Sequence, residues 1–178
     1  MYKARVAECL KNAPVFVRNV MVPIAAGQGN TLEVSKFTQN GEMITGTTRY
    51  AKRGIAVTIP VWQADTCIQC TNCAVACPHA VIRPYLANED EISNSPIKFL
   101  EAKNALAKKH AKYFAIQPSP FDCTGCGVCV ASCPTAQKGT LVMTKFEEVI
   151  EKEQEKQLFL DDNVSYKCRD FTLSECET

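Results

Sequence analysis

Eight of the eleven cysteines in this chain fall in two short stretches, CIQCTNCAVACP at 67–78 and CTGCGVCVASCP at 123–134. Both read C-x2-C-x2-C-x3-C-P. Thiols at this density serve either disulfides or metal. A disulfide scaffold normally follows a secretory signal. Residues 1–26 instead carry Arg5, Lys11 and Arg18 spread along them and hold no unbroken apolar stretch of that kind. Metal is the better reading. Four-cysteine zinc sites use two C-x2-C pairs separated by a longer gap. A triple C-x2-C-x2-C closed by x3-C-P, and then repeated, has the form of an iron–sulfur run instead. A zinc-stabilised interaction module is the alternative of a different class. Iron and acid-labile sulfide analysis separates the two.

Three thiolates on one short loop can take three corners of a cubic cluster; a fourth from the same loop would be strained. The runs resemble those of bacterial two-cluster ferredoxins, in which the fourth cysteine of each run ligates the other cluster. The resemblance implies one 4Fe–4S cluster on Cys67, Cys70, Cys73 and Cys133, and a second on Cys123, Cys126, Cys129 and Cys77. Neither site is then complete without the other half of the domain. Pro78 and Pro134 turn the chain after each crossing cysteine, where a helix cannot continue. Gly125 and Gly127 let the second loop bend tightly and direct N–H groups at sulfur. Such donors, with burial, help to set reduction potentials. The first loop has Ile68, Gln69, Thr71 and Asn72 in that region, so the two clusters are expected in different surroundings. Trp62 and Phe121 lie just ahead of the runs and are expected to shield the clusters from water. Cys9, Cys168 and Cys176 read as ordinary unligated thiols. His79 and His110 read as packed or surface histidines.

The loops need elements to hold them. IAVTIPVW at 55–62 alternates and is β-branched, a strand leading to Cys67. HAVIRP at 79–84 and GTLVM at 139–143 are further short strands, one after each run. The fold class is therefore α+β, a ferredoxin-like domain. The gap between Cys77 and Cys123 is longer than a minimal two-cluster ferredoxin needs and holds an insertion at 86–120. That insertion is expected to be helical, with Ser95 as N-cap and Pro96 at the first position. Ile97, Leu100 and Leu106 would pack, while Lys98, Lys103, Lys108, Lys109 and Lys112 form a basic exposed side. Thr144 to Glu147 has the form of a capping box. It opens a helix to about Gln157, with Phe146, Val149 and Ile150 packed and Glu147, Glu148, Glu151, Glu153 and Glu155 solvated. Residues 159–178 read as an irregular tail. Ahead of the runs, VFVRNVMVPIA at 15–25 predicts a helix packing Phe16, Val20 and Ile24. Residues 26–50 predict loop with one extended piece at Leu32 to Phe37. The organisation expected is a helical segment at 1–28, a linker at 29–60, the cluster domain at 61–143, and a helix and tail at 144–178.

Lys plus Arg number 20 against 19 Asp plus Glu, a net charge of +1. That balance gives no reason to expect nucleic acid. No run of about 18 apolar residues is present to span a membrane. The expected compartment is a reducing one, the cytoplasm or a reducing organelle of an anaerobic eukaryote.

The segment TGTTRYAKRGIAVTIPVWQADTCIQCTNCAVACPHAVIRP at 45–84 resembles pyruvate:ferredoxin (flavodoxin) oxidoreductase. The matching residues are Thr45, Gly46, Thr47, Lys52, Arg53, Gly54, Ile55, Ala56, Pro60, Val61 and Trp62. Ala51 stands where the family has Glu. CTGCGVCVASCPTAQKGTLVM is similar to the family's second cluster segment. The resemblance implies a domain that relays electrons from a third cluster, next to thiamine diphosphate and Mg, to external ferredoxin or flavodoxin. The whole enzyme oxidises pyruvate with coenzyme A to acetyl-CoA and carbon dioxide. This chain shows neither a Gly-Asp-Gly thiamine signature nor a C-x2-C outside its two runs. It reads as a fragment or split subunit whose partners are the remaining domains, and it carries no general acid, base or nucleophile. The alternative is a free-standing two-cluster ferredoxin or a small electron-transfer subunit of another 2-oxoacid oxidoreductase.

Overall fold

The computed structural model describes residues 13–47, 50–103 and 105–165. The chain forms two compact units, Met1–Arg53 and Gly54–Thr178. In the first, a π-helical turn at Val17–Met21 runs into α1, Val22–Ala25. The expected helix is present, but it widens just before Pro23, which has no N–H to donate back. Val17 and Val20 are its buried residues, whereas Ile24 is exposed. The extended piece expected at Leu32 to Phe37 is instead a 3-10 turn at Val34–Lys36. Lys36 N–H donates to the Glu33 carbonyl and Phe37 N–H to that of Val34, so local bonds satisfy the backbone without a strand partner.

The second unit is built on two antiparallel sheets. β1, Thr58–Trp62, pairs with β5, Leu141–Lys145, in a register running from Thr58↔Lys145 to Trp62↔Leu141. β2, Ile82–Ala87, pairs with β4, Tyr113–Pro118, from Ile82↔Pro118 to Ala87↔Tyr113. The short β3, Leu100–Glu101, lies on the other edge of β4. Two four-residue helices, α2 (Asn72–Val75) and α4 (Val128–Ala131), follow the cysteine loops. The long α5, Phe146–Asn163, packs on β1, β4 and β5. No helix among the described residues is long and apolar enough to cross a membrane.

Five expectations of this unit need correction. The insertion is not one helix: it folds as β3, a six-residue α3 at Ala105–His110, and β4. Ser95 Oγ does accept from the Ile97 N–H at 3.1 Å, but the chain then pairs Leu100 with Phe114 and Glu101 with Tyr113. Strand pairing by the aromatic and β-branched YFAI outweighs the helix propensity of the preceding residues. The strand after the first run starts at Ile82, because Ala80 at φ +51° turns the chain first. The capping box does not form. Thr144 lies in β5 and donates to the Val142 carbonyl, while Lys145 holds the N-cap position without a side-chain capping bond. The helix also runs to Asn163, past the expected start of the tail; residues 166–178 lie outside the described residues.

Glu153 is the fifth correction. It is 3% exposed, not solvated. Its Oε2 accepts from Gln117 Nε2 at 2.9 Å, and Lys156 Nζ reaches its Oε1 at 2.7 Å. Gln117, 1% exposed on β4, also donates to the Pro118 carbonyl. This bond fastens α5 to the central strand of the three-stranded sheet. A hydrogen bond to a charged group contributes about 1.5–3 kcal/mol. Glu153→Ala is therefore expected to destabilise the chain by about 2–3 kcal/mol, read from the denaturant midpoint. A change within about 0.5 kcal/mol, the surface range, would mean the residue is solvated after all.

Candidate metal centre

The first cysteine loop joins β1 to β2 and the second joins β4 to β5, so each runs from one sheet to the other. The result is two cavities. The first, about 290 Å³ including space open to solvent, is lined by Cys67, Cys70 and Cys73 and, from the other run, Cys133. Trp62, Ile68, Ile116, Leu141 and three threonines complete its wall. The second, about 310 Å³ on the same measure, is lined by Cys123, Cys126 and Cys129 and, from the first run, Cys77. Pro60, Val81, Ile82 and Met143 line it as well. Each predicted set of four is thus brought to one cavity. Cys70 and Cys126 are exposed, and Cys67, Cys73, Cys123 and Cys129 are buried. Cys9, Cys168 and Cys176 lie outside the described residues.

The spread of the thiols bears on which metal group fits. A tetrahedral zinc site at about 2.3 Å per Zn–S bond needs its sulfurs within roughly 3.8 Å of each other. Among the described residues, no three His, Cys, Asp or Glu side chains gather in a way that could hold one metal ion. Four thiols per cavity, with no ion-sized gathering among them, suit a bulkier inorganic group with iron at alternate corners, one for each thiol.

The two loops share a backbone despite unlike residues. Gly125 and Gly127 sit at φ +74° and +75°, and the matching positions of the first run, Gln69 and Thr71, at +63° and +59°. Residues with a Cβ pay roughly 1–2 kcal/mol for that conformation. Gln69 has a compensating anchor. Its Nε2 donates to the Glu101 carbonyl at 2.7 Å, and its Oε1 accepts from Lys103 N–H at 2.9 Å. The insertion's β3 thereby holds the first loop in shape. In both loops the left-handed residue turns its N–H onto the first cysteine: Gln69 N to Cys67 Sγ and Gly125 N to Cys123 Sγ, each at 3.4 Å. Sulfur accepting backbone N–H bonds is the environment a thiolate ligand needs.

Burial pushes the Cys73 thiol up to about 12, against a pull downward from the Ala74 backbone N–H. Negative charge on Cys67, Cys70 and Cys133 contributes to the same rise. Burial likewise takes Cys129 to about 11 and raises Cys123. These thiols stay protonated near neutral pH until a metal displaces the proton.

Sequence reasoning missed the polar side of the first cavity. Thr140 is buried and its Oγ1 lies 2.8 Å from Thr66 Oγ1 and 2.7 Å from Thr135 Oγ1. Thr135 Oγ1 is in turn 3.5 Å from Cys133 Sγ. Scattered threonines give no signal of such a cluster before the fold is known. Trp62 lines the first cavity as expected. Phe121 packs edge-on against Phe146, with ring centroids 5.9 Å apart, and is not among the residues lining the second cavity. His79 is exposed at the rim of that cavity.

Comparison with known proteins agrees with the two-part organisation. A 4Fe-4S dicluster domain family matches residues 66–137. EKR, a domain of unknown function, matches residues 3–56. The pyruvate:ferredoxin oxidoreductase of Moorella thermoacetica is 47% identical over 149 residues, 83% of this chain and 13% of that protein. The pyruvate-flavodoxin oxidoreductase of Enterobacter agglomerans is 42% identical over 130 residues, 72% of this chain and 11% of that protein. The mitochondrial pyruvate dehydrogenase [NADP(+)] of Euglena gracilis is 44% identical over 119 residues, 67% of this chain and 6% of that protein. The chain thus spans about an eighth or less of the length of these relatives. With a dicluster domain over residues 66–137 and identities of 42–47% over about two thirds or more of its length, the chain matches a segment of the pyruvate:ferredoxin and pyruvate-flavodoxin oxidoreductases.

Proposed function

We propose that the chain is the electron-relay part of a pyruvate:ferredoxin or pyruvate-flavodoxin oxidoreductase. The observation that supports this best is the pair of cavities, each lined by three cysteines of one run and the fourth of the other. Cys67, Cys70, Cys73 and Cys133 would hold one 4Fe–4S cluster, and Cys123, Cys126, Cys129 and Cys77 the other. When bound, such clusters supply one-electron transfer at potentials tuned by the protein. The chain's own residues position, insulate and tune. Crossing the fourth cysteines ties both sites into one rigid unit. Ile116, Leu141, Val81 and Ile82 keep water from the sulfurs. Exposed Cys70 and Cys126 mark where each site comes nearest to solvent and to a redox partner.

Thiamine diphosphate, Mg and a third cluster belong to the remainder of the parent enzyme. Electrons leave to ferredoxin or flavodoxin, as the names of the relatives suggest for those proteins. The proposed location is the cytoplasm or another reducing compartment.

The 178-residue chain, purified anaerobically and reduced with dithionite, is expected to pass electrons to flavodoxin. It is expected to reduce no dye when given pyruvate and coenzyme A. Pyruvate-dependent dye reduction by the pure chain would contradict the relay assignment.

A further inference from the structure

We propose that the indole N–H of Trp62 donates a hydrogen bond to the sulfur shell of the cluster held by Cys67, Cys70, Cys73 and Cys133, raising the reduction potential of that cluster alone. This rests on the two-cluster reading above. Trp62 ends β1, where its pairing with Leu141 fixes its backbone. It is 7% exposed and lines the first cavity beside the four cysteines. Its Nε1 is fully buried, and among the described residues no acceptor lies within hydrogen-bond distance.

A buried indole N–H almost always has a partner, because leaving it bare costs free energy. The nearby hydroxyl of Thr140, on the same wall, is already engaged with Thr66 and Thr135. The same wall also carries the sulfurs of Cys67, Cys70, Cys73 and Cys133, which can accept. An N–H donor spreads the negative charge on sulfur and favours the more negative, reduced state, so the potential rises. Trp62 is the chain's single tryptophan. The second cavity is lined by prolines, aliphatic residues and Met143 around its cysteines, with His79 and Thr124 at its edge. The second site has no counterpart to this indole, so the effect of the indole belongs to the first, where the Thr135 hydroxyl also lies 3.5 Å from Cys133 Sγ.

The test compares Trp62→Phe with the unaltered 178-residue chain by anaerobic redox titration followed by electron paramagnetic resonance. Cys70→Ala, which keeps only the second cluster, assigns the two signals. Trp62→Phe is expected to keep its full iron and sulfide. Its first cluster should titrate lower by a three- to tenfold shift in the reduced-to-oxidised ratio, about 28–59 mV at 59 mV per tenfold. The second cluster should not move. If Trp62→Phe fails to assemble, the unaltered chain grown with 15N-indole tryptophan decides. Pulsed resonance should then show 15N coupled to one reduced cluster. Unchanged potentials with both clusters intact, or no 15N coupling, overturns the role of Trp62 and leaves the two-cluster reading standing. An unaltered chain without iron and sulfide overturns both.

Discussion

Cys77→Ala is expected to empty the cavity of the other cysteine run. Cys77 follows Cys67, Cys70 and Cys73 in sequence, yet it lines the cavity of Cys123, Cys126 and Cys129. The variant should keep about four of about eight iron atoms per chain, since each 4Fe–4S cluster carries four. Which four is decided by combination. Adding Cys126→Ala should cost nothing further, because both residues serve one cluster. Adding Cys70→Ala should remove the remaining iron. Such a cycle reads whether two residues share a site. Cys133→Ala should give the mirror-image pattern. If Cys77→Ala with Cys70→Ala still keeps about four iron atoms, the ligands are local to each run and the crossing is wrong.

Gly125→Ala is expected to be far more damaging than Gly127→Ala, although both glycines hold nearly the same φ. A Cβ at Gly125 would sit 2.8 Å from the Thr58 carbonyl oxygen and 3.4 Å from the Ala56 Cβ. At Gly127 it would meet nothing within 4 Å. Gly127→Ala should therefore cost only the left-handed conformation, about 1–2 kcal/mol. Gly125→Ala adds an overpacking cost of about 1–3 kcal/mol, for a total of about 2–5 kcal/mol. The clash falls between the second loop and β1, so iron should also be lost from the second cavity. Denaturation midpoints and iron content of the two variants check this. Equal losses would show that the close approach of loop and strand is unimportant.

Much of the fold was legible where the pattern was dense. The alternation of IAVTIPVW becomes β1, and the strands expected after each run appear as β2 and β5, displaced by two or three residues at their starts. The cysteine spacing pointed to 4Fe–4S chemistry, and a dicluster family matches that stretch. Which thiols share a cavity was legible only through likeness to two-cluster ferredoxins; spacing alone leaves the fourth partner open.

Long-range partners were what the sequence could not show. Ile97 to Ile116 carries helix formers beside β-formers, and the decision lies with β4, on which Leu100 and Glu101 pair. Glu153 looks solvated on any helical projection, because nothing local reveals that buried Gln117 faces it. Gln69 and Thr71 occupy glycine-like conformations in the first loop, and the side-chain anchor for Gln69 comes from residues more than thirty positions away. Trp62 was legible as apolar cover, but its unpartnered N–H appears only with the fold.

That the eight cysteines hold two 4Fe–4S clusters is tested most directly on the anaerobically purified chain, by iron and acid-labile sulfide analysis with electron paramagnetic resonance after full reduction. About eight iron and eight sulfide per chain, with two magnetically interacting 4Fe–4S signals, is the result expected. Zinc in the cysteine sites without sulfide would contradict it.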